Sequence, residues 1–268
     1  MKPVSESIRP VPILVARFGE IRKKPQIKPS LEDFSDVFSN EGNRKHSFEE
    51  VKKAFEFVFN KDKFIHHLNQ EPNKESFLYL KQIRRHGVIL RDHCRFFSTE
   101  HKSADALNKF LYFLGQHNDR YGVVPSEEIK SEIIGHINNI EFSIEFDNTD
   151  GFVKHTANEL SEIEEILKEK ELPVTKFHLL RKKIRLFGNL VQIPAIENLG
   201  KSQHWLCSSL FEISKEMGDQ HDDLVARGLR GEIDYSQAVL EVSPQILSEF
   251  EKLKPFIKKV CGLFPKPN

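Results

Sequence analysis

Apolar residues along most of this chain recur every three or four positions, the period of a helix with one buried face. Ser47-Phe-Glu-Glu50 reads as a capping box opening a helix toward Phe59, with Phe55, Val58 and Phe59 at i, i+3 and i+4 as its core stripe. Further helices are predicted at about 74–98, 103–121, 126–147, 156–171, 174–193, 201–231 and 243–263, the sixth of them broken near Gly218. Two of them start after a proline turn, Glu71-Pro72-Asn73 and Glu171-Leu172-Pro173. Strand-type alternation is nearly absent. Residues 1–45 hold Pro3, Pro10, Pro12, Pro25 and Pro29 and read as a loosely structured arm with one short helix near 31–39. The fold class is all-α.

The two helices behind the proline turns share more than their start. The first reads Phe77-Leu-Tyr-Leu-Lys81-Gln-Ile-Arg84-Arg85 and continues to Arg91 and Arg95. The second reads Phe177-His178-Leu-Leu-Arg181-Lys182-Lys183-Ile-Arg185. Each is followed by a similar short sequence, Leu114-Gly115-Gln-His-Asn-Asp119 and Met217-Gly218-Asp-Gln-His-Asp222. Lys81 to Gly115 is 34 positions and Arg181 to Gly218 is 37, so the chain reads as one plan used twice.

At about 100° per residue, His178, Arg181, Lys182, Arg185, Asn189 and Gln192 share one face, and Leu180, Ile184, Phe187 and Val191 lie opposite. Lys183 is the exception, falling among apolar positions. In the first copy Arg84, Arg85, Arg91 and Arg95 cluster around Lys81, with Asp92 in the same arc to neutralise part of it. A solvated helix usually alternates charge sign or sets Glu four residues before Lys. Residues 176–188 instead contain five Lys or Arg and no acid. Such clustering repels itself unless an anion or acidic neighbours sit opposite. On a single helix a basic surface patch without a ligand would be the simpler explanation; the repetition favours a site.

Composition narrows the classes. With 40 acidic and 40 basic residues the 268-residue chain has no net charge, which excludes a general nucleic-acid adhesive. The neutrality hides segregation, since 126–150 carry seven acids and one Lys. Cys94, Cys207 and Cys261 are odd in number and lack CxxC spacing, which fits a reducing compartment and speaks against a disulfide framework or thiolate zinc site. The apolar stretch around Val11–Ala16 is short and interrupted by Pro12, and no later segment approaches a membrane span, so a soluble cytoplasmic protein is expected. Phenylalanine, at 22 residues, reads as core filling. Gly115 and Gly218 belong to no phosphate-binding glycine loop and read as helix interruptions or close-packing points.

His178-Leu-Leu-Arg181-Lys-Lys-Ile-Arg185 followed by Met217-Gly218-Asp-Gln-His-Asp222-Asp223-Leu224 resembles the second half of a CHAD domain, the α-helical domain named for its histidines. Lys81 and Arg85 followed by Leu114-Gly115-Gln-His-Asn-Asp119-Arg120 are similar to the first half, with Leu78 where that half would carry a histidine. Val88 and Gly188 replace basic residues one turn beyond Arg85 and Arg185. The resemblance covers about 46–265. It implies two four-helix bundles related by a pseudo-two-fold with a basic channel between them, halves at about 46–150 and 151–268, and non-catalytic binding of inorganic polyphosphate.

Such a ligand is charged at every phosphate and has no bases to read, so recognition is electrostatic and geometric. Helical spacing sets successive cations in line, and arginine adds a planar fork that bridges two oxygens. The expected anion contacts are Lys81, Arg84, Arg85, Arg91, Arg181, Lys182 and Arg185, each worth on the order of 1 kcal/mol and sensitive to salt. His178 either donates to a phosphate oxygen, more strongly once protonated, or bonds a neighbouring helix or carboxylate. Asp119 and Asp222 are expected to cap a following helix or hold arginines, because carboxylates repel a polyanion.

Two other classes compete. Basic helix faces also suit an adaptor docking acidic protein partners. His221-Asp222 is the dipeptide of helical HD-type metal-dependent phosphohydrolases, whose further ligands would have to come from His86, His93, His117 or His178; none has the expected spacing. No metal, cofactor or catalytic residue is expected in the preferred reading, and nucleic acid competes only weakly, through its phosphates.

Overall fold

A computed structural model describes residues 29–71, 73–118, 126–140, 142–192 and 201–264. The protein is all-α. Its helices are α1 (Glu41–Val58), α2 (Lys61–Asn69), α3 (Lys74–Phe97), α4 (Asp105–Asn118), α5 (Glu127–Ile137), α6 (Thr149–Leu167), α7 (Val174–Leu190), α8 (Lys201–Leu229) and α9 (Pro244–Val260). Two three-residue strands, β1 (Glu171–Pro173) and β2 (Val239–Glu241), pair antiparallel with Leu172 opposite Leu240. The chain divides into two compact units, one built from 46–145 and one from 21–45 with 146–268, each including the residues of those ranges that are described.

In the first unit α4 packs against both α3 and α5, and α2 against α3. A run of phenylalanine rings ties three helices: Phe55 on Phe59 at 5.5 Å, Phe59 on Phe64 at 5.5 Å and Phe64 on Phe110 at 5.7 Å between centroids. Such pairs add about 0.5–1.5 kcal/mol each beyond the area they bury. Of the stripe read from Phe55, Val58 and Phe59, the first two are buried and Phe59 is half-buried.

The expected start of α1 moves. Asn40 Oδ1 accepts from the backbone of Gly42 and Asn43, so the helix opens at Glu41 and the Ser47–Glu50 capping box does not form. Ser47 lies inside the helix, buried, with its hydroxyl 3.3 Å from His93 Nε2. Helix α2 was absent from the pattern; Asn60 caps it, and its nine residues are too few for a periodic signal. Helix α5 stops at Ile137, ten residues short of expectation, where Asn139 donates to the Gly135 carbonyl. Beyond it Phe142 lies 5.4 Å from Phe55 and Glu145 O accepts from the Thr99 N–H.

In the second unit α7 and α8 make the most extensive helix–helix contact, with α6 against α7 and α9 against α8. The described part of the expected arm, 29–45, is packed here and not loose. Only a single 3₁₀ turn, Leu31–Asp33, forms where a short helix was expected. Phe34 and Phe38 are buried, Phe34 lies 4.9 Å from Phe256, and the Val37 and Phe38 N–H groups donate to Val260 O. Arg44 is fully buried. It donates to the carbonyls of Phe38 and Asp147 and lies over the Phe152 ring, which offsets the desolvation of its charge. Helix α6 starts at Thr149 instead of about 156, because Asn148 caps it through the Gly151 N–H. Among the described residues no helix is long and apolar enough to cross a membrane.

Two histidines in α3 make the first unit sensitive to acid. His86 and His93 are buried, each ring donates its Nδ1–H to the carbonyl four residues back, and burial pushes both down to about 4 from an ordinary 6.5. Between these values the unfolded chain binds protons that the folded chain refuses, so stability is full above pH 6.5 and declines as pH falls toward 4. Urea unfolding followed by circular dichroism is expected to show a midpoint that drops from pH 7 to pH 5, with a shallower drop in His93→Gln.

Candidate anion-binding site

Within the second unit the site is built on α7 and α8. Pro173, leading from β1, sets the start of α7, and its buried face carries Phe177, Leu180, Ile184, Phe187 and Leu190. Lys183 points to the same side, as its position among apolar residues implies. It is buried and held by Glu159 at 2.7 Å and Glu162 at 2.8 Å, both from α6. Lys176 is likewise paired, with Glu169. Acids from outside α7 thus take two of the five cations that its own sequence leaves without counter-charge.

Arg181, Lys182 and Arg185 lie on the opposite flank with His178. Arg181 crosses onto α8, where its Nε donates to Ser214 O at 3.1 Å. Its guanidinium fills the space a side chain would need at Gly218: a Cβ there would stand 2.5 Å from Nη2 and 2.7 Å from Cζ. Gly218 is therefore a seat for an arginine. It does not interrupt the helix, and α8 runs unbroken from Lys201 to Leu229, contrary to the expected break.

The same device recurs in the first unit. A Cβ on Gly115 of α4 would stand 2.8 Å from Arg84 Nη2, inside an unbroken helix. Arg84, and not Lys81, is thus the counterpart of Arg181, so the repeat is three residues out of the register read from the matching phenylalanines. The first spacing is 31 residues (115 − 84) and the second 37 (218 − 181). Reciprocal glycines sit on the facing helices: Gly87 of α3 receives Leu111 of α4, and Gly188 of α7 receives Phe211 and Leu210 of α8.

His178 faces a neighbouring histidine. Its ring centroid lies 5.1 Å from that of His221 on α8, whose Nε2 is 3.0 Å from Tyr235 Oη and whose Nδ1 is 3.3 Å from Asp222 Oδ1. Burial, then the charges of Lys182, His221, Arg181 and Arg185, push His178 down to about 4. It is neutral at pH 7, so the protonated donor considered from sequence is not the resting state. Nδ1 is buried without a hydrogen-bond partner.

The other expected contacts separate. Lys81 is exposed with its ammonium 5.4 Å from the Phe77 ring, and Arg85 is half-buried on the same helix. Arg91 is committed to buried Asp92, through Nε at 2.9 Å and Nη2 at 2.7 Å, which removes it from the open cations. Asp222 caps nothing, because α8 continues past it, and it contacts only the His221 ring among the bonds described for it. Asp119 lies outside the described residues, as does the side chain of His117. Among the described residues no group of three or more His, Cys, Asp and Glu is placed to hold a metal ion; His86 and His93 bond their own helix. A Ser76–His67 pair in the first unit resembles a nucleophile and base, but the Ser76 hydroxyl donates to Gln70 Oε1 and so receives from the imidazole. Sequence reasoning passed over Tyr235, Ser214, Glu159 and Glu162, which reach α7 from elements far along the chain.

No family model, curated protein or solved structure matches the chain.

The glycines give a direct check. Gly135 in α5 has open space where a Cβ would go, so Gly135→Ala gains helix propensity alone, about 0.5–1 kcal/mol. Gly218→Ala gains the same propensity but expels the Arg181 guanidinium and its bond to Ser214, for a net loss of up to about 1 kcal/mol. Urea denaturation should rank Gly135→Ala above wild type and wild type above Gly218→Ala.

Proposed function

We propose that the protein is a cytoplasmic, non-catalytic CHAD-like module that binds inorganic polyphosphate or a similar polyanion through the basic faces of α3 and α7. The observation that carries this reading is the clustering of Arg181, Lys182 and Arg185 with His178 on one flank of α7. Burial first, then the charges of Lys182, His221, Arg181 and Arg185, hold this half-buried imidazole neutral, so the flank favours an anion over a further cation. Arginines seated on glycines add to it: the backbone contact fixes each guanidinium before a ligand arrives, which lowers the ordering cost of binding. The same seat occurs in both units, on the helix that carries the cations, as a repeated ligand of repeated charge would require.

Calorimetric titration with long-chain polyphosphate, in the absence of any protein partner, tests the reading. Wild type is expected to bind with strong salt dependence, and Arg181→Glu/Arg185→Glu to lose at least about thirtyfold at low salt with helical content unchanged. Equal affinity of the two proteins would remove these arginines from the site. Absence of binding to wild type would leave the basic faces to an acidic protein partner.

A further inference from the structure

The His178–His221–Tyr235 stack adds a chemical property to the anion site just proposed, and the inference rests on that reading. The groups around His178 can be named element by element. Its own helix supplies Arg181, Lys182 and Arg185. Helix α8 supplies His221, with Asp222 on the far nitrogen of that ring, and the 3₁₀ turn Tyr235–Gln237 supplies the Tyr235 hydroxyl. Helix α6 presents Glu159 and Glu162, which Lys183 engages on the buried side of α7, and the strands β1 and β2 set exposed Glu171 and Glu241 opposite one another. Among the described residues the groups whose charge acts most on His178 are Lys182, His221, Arg181 and Arg185, cations and an imidazole.

An imidazole in this position lacks the counter-charge that would let it hold a proton, and a phosphate chain laid along Arg181, Lys182 and Arg185 supplies it. We propose that a polyanion binds the second unit together with one proton from solvent, which settles on the His178 ring, and that His221 and Tyr235 belong to the same site. The step is a simple protonation: anion and proton enter together, and both leave together. In the register set by the glycine seats the first unit has Lys81 where the second has His178, so it takes no such proton. Because free His178 sits at about 4 and the anion raises it, the uptake appears above pH 4 and fades as pH passes the midpoint of the anion-bound ring, so it is larger at pH 5.5 than at pH 8.

The test is calorimetric titration with long-chain sodium polyphosphate at pH 5.5 and pH 8, in buffers of different ionisation enthalpy. Chain ends titrate near pH 6 on their own account, so long chains and a variant in parallel are needed. At pH 5.5 wild type is expected to take up more protons per bound site than His178→Gln, up to one. Its affinity should also rise severalfold more than the variant's between pH 8 and pH 5.5. Equal proton uptake in the two proteins, with binding intact, overturns the proton coupling and leaves the polyanion reading standing. No binding at either pH overturns both. Independently of any variant, the imidazole Cε1–H resonance of His178 in wild type should titrate with a higher midpoint in the presence of polyphosphate; an unmoved midpoint overturns the coupling.

Discussion

The contact on which the candidate site depends is an arginine laid across a neighbouring helix at a glycine. A guanidinium is planar and wide, and it approaches a helix backbone closely only where no Cβ intervenes. Gly218 gives Arg181 that approach and Gly115 gives it to Arg84. In return Gly188 and Gly87 let side chains of the partner helix close in on α7 and α3. The helices of each pair therefore hold one another at two levels. Because the pairs are antiparallel, fixing the arginine also fixes which residues of α3 and α7 point away from the core. The cations next to each arginine inherit their direction from the seat.

Charge sorting on α7 follows from the same geometry. Its five cations look equivalent in sequence, but the α6 carboxylates reach only the side that faces α6. Lys183 is neutralised there at two carboxylates, where burial would otherwise make an unpaired ammonium very costly. On the other flank burial of an imidazole beside three cations has the opposite result: the histidine gives up its proton. One helix thus carries a doubly paired lysine on one side and three cations around a neutral imidazole on the other.

Most of the helices were legible because each buries a continuous apolar stripe over four or more turns, and α3, α7, α8 and α9 fall within three residues of expectation. Boundaries failed where a side chain outside the periodic pattern decided them, as Asn40, Asn139 and Asn148 do. Ser47–Glu50 has the composition of a capping box, but Ser47 is drawn inside by His93, a contact 46 residues away that no local pattern reveals. The site was legible in its residue types and not in its register. Matching phenylalanines aligned Lys81 with Arg181, whereas the glycine seats align Arg84. The two seats differ by six residues in spacing because helix and loop lengths between arginine and glycine differ, and contacts are set by helix levels, not by counting. His221 carried a signal, its place beside Asp222, but that pointed to metal chemistry; its contact with His178 depends on the α7–α8 packing.

The two units share the seat but differ in the chemistry around it. In the second unit Arg181 is anchored through Nε to Ser214, and a histidine pair backed by a tyrosine stands beside it. In the first, Arg84 Nε is buried without a hydrogen-bond partner, Arg91 is spent on Asp92, and Lys81 stands three residues before the seated arginine where the second unit has His178. A guanidinium that gives up a hydrogen bond to lie on a glycine loses stabilisation unless its outer nitrogens are used by something else. That cost falls on Arg84 and not on Arg181. The seat therefore fixes the direction of a guanidinium in both units, whereas only in the second does the arginine's Nε also add a hydrogen bond to the fold.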